Sequence, residues 1–166
     1  MKNILVPTDF STEAHYAFQA ALQLAKRMGG RVTLLHAVEL PETANFSTYG
    51  GPVGGTELPN STRMPDEVFM MELLKATRRR MEALLAEAAQ QAPGVLVNDT
   101  VEVGRVNSAI QTVVERQHND LVVMGAQGHS AAEHFFLGSN TERVIRTAPC
   151  PVLAVKQPMG ISTCGR

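Results

Sequence analysis

The chain predicts an α/β fold: a five-stranded parallel sheet, order 3-2-1-4-5, with helices on both faces in a Rossmann-like three-layer α/β/α arrangement. Short apolar, β-branched runs alternate with stretches whose apolar residues recur every three or four positions, the pattern of strands joined by helical crossovers. Breakers stand where the helical patterns stop, at Gly29-Gly30 and Pro93-Gly94. At 166 residues, 44% of them hydrophobic, the chain has the length and apolar content for one domain with a real core.

Each element follows from its residues. Asn3–Pro7 is a short apolar strand, and Asp9–Thr12 supplies helix N-caps after it. From Thr12 to Met28, Ala14, Ala17, Phe18, Ala21, Leu22 and Ala25 form one apolar face of a helix that ends at Gly29-Gly30. Val32–Val38 is a second buried-type strand. Glu39–Pro65 breaks the pattern, with Gly50, Gly51, Gly54 and Gly55 and with Pro41, Pro52, Pro59 and Pro65. Connections this long are lids, interaction loops or mobile segments, and both a functional lid and a tolerated insertion remain open.

Asp66–Gln90 is again helical, striped by Met70, Leu73, Leu74, Thr77, Met81, Leu84, Leu85 and Ala88. Its methionines read as core filler, and Arg78-Arg79-Arg80 as a solvated helix face. Val97, Val101 and Val103 alternate with polar residues as in a half-exposed strand. A short helix at Ser108–Gln117, a fourth strand at Leu121–Met124, a helix at Asn140–Thr147 and a fifth strand at Pro151–Val155 complete the series. Pro149 and Pro151 suit a sheet edge. The domain is expected over residues 1–156, with 157–166 a flexible tail or a truncated linker.

Composition removes several function classes. A formal net charge of −1 with intermixed signs argues against an extended nucleic-acid face. No apolar run approaches the roughly 20 residues that span a bilayer. The chain opens directly on Ile4-Leu5-Val6, and its two cysteines, Cys150 and Cys164, have no metal-ligand spacing. A cytoplasmic, reduced protein is expected, without nucleic-acid or membrane partners.

The most informative motif is Gly125-Ala126-Gln127-Gly128 followed, nine residues on, by Gly138-Ser139 at the start of a helix. Glycines let backbone approach a ligand, and helix N-termini attract anions through unpaired donors and the helix dipole. In open parallel sheets ligands sit beyond the carboxyl ends of the strands, where strand order reverses. In the order 3-2-1-4-5, strands one and four meet at that reversal, so Asp9 and the glycine motif converge on one crevice. The motif is not a P-loop, since GxxxxGK[ST] is missing; GxGxxG does not follow strand one, and the acidic cluster of a phosphotransfer receiver is reduced to Asp9.

Plainer roles compete. Ser139 and Glu142 fit a Ser-x-x-Glu capping box, Asp9 fits a turn or cap, and Gly125 and Gly128 fit a simple chain reversal. His129 and His134 lack the further ligands a metal site needs, and His15, His36 and His118 show no partner.

The spacing G-x2-G-x9-G-S at Gly125, Gly128, Gly138 and Ser139 resembles the ATP-binding pattern of universal stress proteins. The opening Ile4-Leu5-Val6-Pro7-Thr8-Asp9-Phe10-Ser11, the strand Leu34-Leu35-His36-Ala37-Val38, the helix start Gly138 to Val144 and the closing Pro149 to Val155 are similar to the corresponding segments of that family. The resemblance implies an adenine pocket walled by Pro7, Thr8, Asp9, Val38 and Met124. It places Gly125 by the ribose and Gly128, Gly138, Ser139 and the Asn140 amide on the phosphates, as backbone donors at a helix start suit. Asn140 departs from the apolar residue common in ATP-binding members. The resemblance also implies ATP with Mg²⁺ as the ligand and a homodimer through the last strand, Pro151–Val155, serving a protein partner that sequence does not name.

The expected function is an ATP-binding stress-response switch with slow hydrolysis at most. The sequence shows no obvious Lys or Arg clamp, no paired carboxylates for Mg²⁺ and no evident base for water, so no catalytic residue is assigned. A genuine ATPase or nucleotidyl transferase would need a group from the 39–65 loop or a partner chain. A nucleotide-free dimeric interaction module is the remaining alternative.

Overall fold

The computed structural model describes residues 2–39, 64–127 and 137–156, with backbone alone at 64–69. Nine elements alternate: β1 (Asn3–Pro7), α1 (Thr12–Met28), β2 (Arg31–Val38), α2 (Met64–Gln91), β3 (Leu96–Val103), α3 (Val106–Gln117), β4 (Leu121–Gly125), α4 (Ser139–Thr147) and β5 (Val152–Val155). The strands form one parallel sheet in the order β3-β2-β1-β4-β5, as the sequence predicts.

Alternation along the strands divides the core between two faces. Ile4, Val6, Val32, Leu34 and Val123 face Ala17, Phe18, Leu22 and Met81 of α1 and α2. Leu5, Leu35, Val122 and Met124 face Ile110, Val113, Val114 and Val144 of α3 and α4. Helix α1 ends as expected, with Gly29 at φ 62° donating its N–H to Ala25 O.

The sheet parts at its centre. β1 stays in register with β2 from Asn3↔Arg31 to Pro7↔Leu35, whereas its register with β4 is Ile4↔Leu121 and Leu5↔Val122. Thr8 continues toward β2, donating its N–H to Leu35 O at 2.8 Å. Beyond Leu5 the central strands therefore diverge, and the crevice opens at their carboxyl ends.

Several boundaries differ from expectation. α2 starts at Met64 rather than Asp66, α3 at Val106 rather than Ser108, and β5 at Val152, with Pro151 just outside and its carbonyl accepting from Val122 N–H. The α2 stripe is buried at Thr77, Met81 and Ala88, but Leu74 is exposed. Length explains this: 28 helical residues span about 42 Å, and an eight-residue strand only about 26 Å. The run Arg78–Arg80 is exposed as expected, but Arg78 pairs with Asp99 and Glu82, and Arg80 lies over the Phe10 ring. Residues 40–63, Gly128, His129, His134 and the tail with Cys164 lie outside the described residues.

Candidate functional site

A cavity of about 190 Å³ occupies the crevice at the carboxyl ends of the strands. Pro7, Thr8, Asp9, Met124, Gly125, Gly138, Ser139 and Asn140 line it, so eight of the ten residues singled out in the sequence come together there. Gly128 falls outside the described residues. Val38 does not line the cavity: it is buried, and its carbonyl accepts from Gly104 N–H at 3.0 Å. The β2 part of the wall consists of Leu35, His36 and Ala37, with Val106 from α3 beside it.

The β1–α1 wall is a hydrogen-bonded turn. Thr8 Oγ1 accepts from Phe10 N–H at 3.0 Å, Asp9 Oδ1 from Ser11 N–H at 2.9 Å, and Ser11 Oγ from Ala14 N–H at 3.2 Å. Asp9 thus performs the plain turn role while its carboxylate stays exposed at the cavity. Phe10 sits at φ 62°, a strained position for an aromatic residue, and its ring is held against His36 at 4.5 Å and under Arg80 at 5.4 Å. His36 Nδ1 lies 2.8 Å from Thr8 O; because a carbonyl only accepts, Nδ1 carries the hydrogen.

The other histidines also gain partners that sequence could not show. His15 meets Gln19 and Glu87, and His118 caps α3 at φ 51° with its carbonyl accepting from Asn3 Nδ2.

The β4–α4 wall corrects the capping assignment. Gly138, not Ser139, is the N-cap of α4, and no side chain caps it. Glu142 N–H bonds Gly138 O as the first helical bond, and the Glu142 carboxylate pairs with Arg146. The Ser-x-x-Glu pattern is thus one residue out of register with the true cap. The residue in the third helical position is Thr141, whose buried hydroxyl donates to Gly125 O at 2.9 Å. With Gly138 N–H bonded to Ala126 O and Ala126 N–H to Val155 O, this anchors the α4 start on the ends of β4 and β5. The N–H groups of Ser139, Asn140 and Thr141 precede the first helical bond, leaving a helix N-terminus with exposed Ser139 and Asn140 at the cavity.

Gly125 has a packing reason of its own. A Cβ there would stand 2.9 Å from Gln127 O and 3.0 Å from the Glu13 carbonyl carbon, so this glycine lets β4 approach the first turn of α1. Missed by sequence reasoning were Ala14, Leu35, His36, Ala37, Val106, Gln127 and Thr141. Gln127 lies inside the glycine motif, and the others reach the cavity through tertiary packing.

Cys150 is no activated nucleophile. Burial, and then the nearby Asp120 charge, push its thiol up from the ordinary range. Among the described residues no group of three or more His, Cys, Asp or Glu side chains could hold a metal, and no helix is long and apolar enough to cross a membrane.

Fold and crevice together define an open parallel α/β protein with a cavity at its topological switch point. Residues 1–156 match the universal stress protein family, and the chain belongs to it. It is 31% identical over 156 residues to the universal stress protein SH1215 of Staphylococcus haemolyticus, covering 93% of this chain and 84% of that one. The universal stress protein UspA from Lactobacillus plantarum superposes with a TM-score of 0.69 at 24% identity, covering 93% of this chain and 97% of the other. Two further structures share the fold: a universal stress protein in complex with cAMP (TM-score 0.61, 22% identity, 93% and 96% covered) and the Arabidopsis thaliana family protein At3g01520 with AMP bound (TM-score 0.61, 17% identity, 96% and 94% covered).

Proposed function

We propose that this chain binds an adenine nucleotide, ATP with Mg²⁺, in the switch-point cavity and works as a nucleotide-dependent switch in a stress response. The observation that carries the reading is the start of α4. An uncapped helix N-terminus, anchored through Thr141 and Gly138, presents Ser139 and Asn140 to a cavity whose other wall bears Asp9. Backbone donors in that setting suit phosphate oxygens. Pro7, Leu35, Ala37, Val106 and Met124 supply an apolar wall suited to a base, with Thr8 beside it, and Gly128 is assigned to the phosphates from its place in the spacing. The cAMP and AMP held by two proteins of the same fold support a nucleotide as the ligand class. Mg²⁺, which usually rides on phosphates with several waters, would arrive with the nucleotide.

Hydrolysis is expected to be slow at most. Asp9, the carboxylate in the cavity wall, is engaged by Ser11 N–H, and fast phosphoryl transfer relies on a set of positioned groups. The domain assignment, residues 1–156 with a tail at 157–166, belongs to the same proposal, as does a cytoplasmic location. So does a homodimer through β5, where exposed Leu153, with exposed Ile145 on α4, supports pairing of an edge strand across a two-fold axis.

Titration calorimetry with ATP, in Mg²⁺, tests the reading. Saturable one-site binding that weakens in Asn140→Pro is expected. Absence of binding at millimolar ATP overturns it and favours a nucleotide-free interaction module. Sedimentation that finds only monomer overturns the dimer.

A further inference from the structure

A larger cavity, of about 380 Å³, lies on the face of the sheet that α1 and α2 cover. Ser11, Ala14, His15 and Phe18 line it from α1 and its N-cap, and Arg80, Ala83, Leu84 and Glu87 line it from α2. Both sets follow the spacing i, i+3, i+4, i+7, so each is one stripe of its helix. Thr8, which also lines the switch-point cavity, and Phe10 contribute the wall formed by the β1–α1 turn. We propose that this second cavity binds a small organic monoanion, a carboxylic acid with a hydrocarbon or aryl body. The site does not depend on whether a nucleotide binds at the switch point.

The apolar body has a place to lie. Phe18 is buried, with buried Ala14 beside it in the stripe, and Leu84 packs against the same core as Phe18. Phe10 adds a ring tilted against His36, with centroids 4.5 Å apart. The volume falls within the range of roughly 300–1,000 Å³ usual for small-molecule sites.

The polar groups beside Phe10 are donors. Arg80 lies over the Phe10 ring at 5.4 Å. Arg78 meets Glu82 and Asp99, whereas Arg80 has no carboxylate partner among the described residues. Buried Thr8 and Ser11 accept from Phe10 N–H and Ala14 N–H, and neither hydroxyl hydrogen has an acceptor among the described residues. A guanidinium and two hydroxyls suit an oxyanion, and the planar fork of Arg80 matches a carboxylate. Glu87 stands seven residues further along α2, about 10 Å from Arg80 down the helix axis. Its Oε1 lies 3.3 Å from His15 Nε2 and accepts from Gln91 Nε2 at 2.7 Å, so partners on both helices engage it. Arg80 is the lining cation left without a carboxylate among the described residues, and one such cation matches one negative charge.

The probe is phenylbutyrate, with phenylbutylamine as the same body carrying the opposite charge. Amide shifts of the full chain are followed by NMR as each is added. Phenylbutyrate is expected to move the amides of Ser11, His15, Ala83 and Leu84 saturably, with a Kd of about 1–5 mM, the reach of so small a ligand. The amine should bind about tenfold more weakly or not at all. Arg80→Gln should weaken the acid about tenfold, the size of one charge-assisted contact, and leave the amine unchanged. Ala83→Trp, at an exposed helix position, should fill the cavity and abolish the shifts. Thermal melting of each variant checks that it folds. Any one of four results overturns the site: no saturable shift at about 10 mM acid, equal binding of acid and amine, full binding by Ala83→Trp, or shifts confined to Gly125, Ser139 and Asn140 at the switch point.

Discussion

Two helices start at the same crevice and start differently. α1 closes its own end: buried Ser11 accepts from Ala14 N–H, and Asp9 accepts from Ser11 N–H. α4 starts on Gly138 with no side-chain cap, and its serine stands one position inside the helix, exposed at the cavity. Both ends carry the same dipole and the same surplus of donors. The difference separates an end closed by its own side chains from the end that the proposal assigns to a ligand. Side chains satisfy α1, while Thr141 and Gly138 fix the position of α4.

The comparison can be broken at several points. The largest effect is expected at Phe18, buried between α1 and the sheet. Phe18→Ala should cost about 3–5 kcal/mol in urea unfolding, whereas a shift below about 1 kcal/mol would mean α1 is not the anchored partner. Gly125→Ala comes next, at about 1–3 kcal/mol, because the new methyl would press on Gln127 O and the α1 backbone. An unchanged melting temperature there would remove the close approach of β4 to the first turn of α1. Ser11→Ala should lower stability by about 1 kcal/mol, or roughly 2–4 °C in melting temperature. Its effect on ATP affinity should be small.

Ser139→Ala inverts that pattern. Stability should stay within about 0.5 kcal/mol, because Ser139 caps nothing, while ATP affinity measured by calorimetry falls about tenfold. If Ser139→Ala destabilises as much as Ser11→Ala, Ser139 is a cap after all and the two helix starts are alike.

How much of this the residues declare depends on distance along the chain. Periodicity located all nine elements because apolar spacing is a local property, and sequential α/β alternation restricts the sheet to few orders. The first turn and the glycine motif were legible for the same reason. Ser139 shows the limit: Ser-x-x-Glu fits a capping box in letters, but Gly138 adopts the extended cap geometry and shifts the frame by one. His36 and Thr141 were not legible as wall and anchor, since their roles depend on Thr8 O and Gly125 O, acceptors far off in sequence. Val38 directly follows the part of β2 that lines the cavity, Leu35, His36 and Ala37.

The parting of β1 from β4 has a consequence for how the molecule is made. Every strand pair among the described residues is parallel, so no hairpin among them can nucleate the sheet, and each pairing waits for a crossover. The seam beneath the crevice closes over 117 positions, where the Asp120 carboxylate accepts from Asn3 N–H. A chain emerging from the ribosome thus carries its first wall long before the second exists. The crevice has no half-built form with which to hold a ligand between both walls. Whatever binds there recognises a completed molecule and stabilises the whole of it rather than one part.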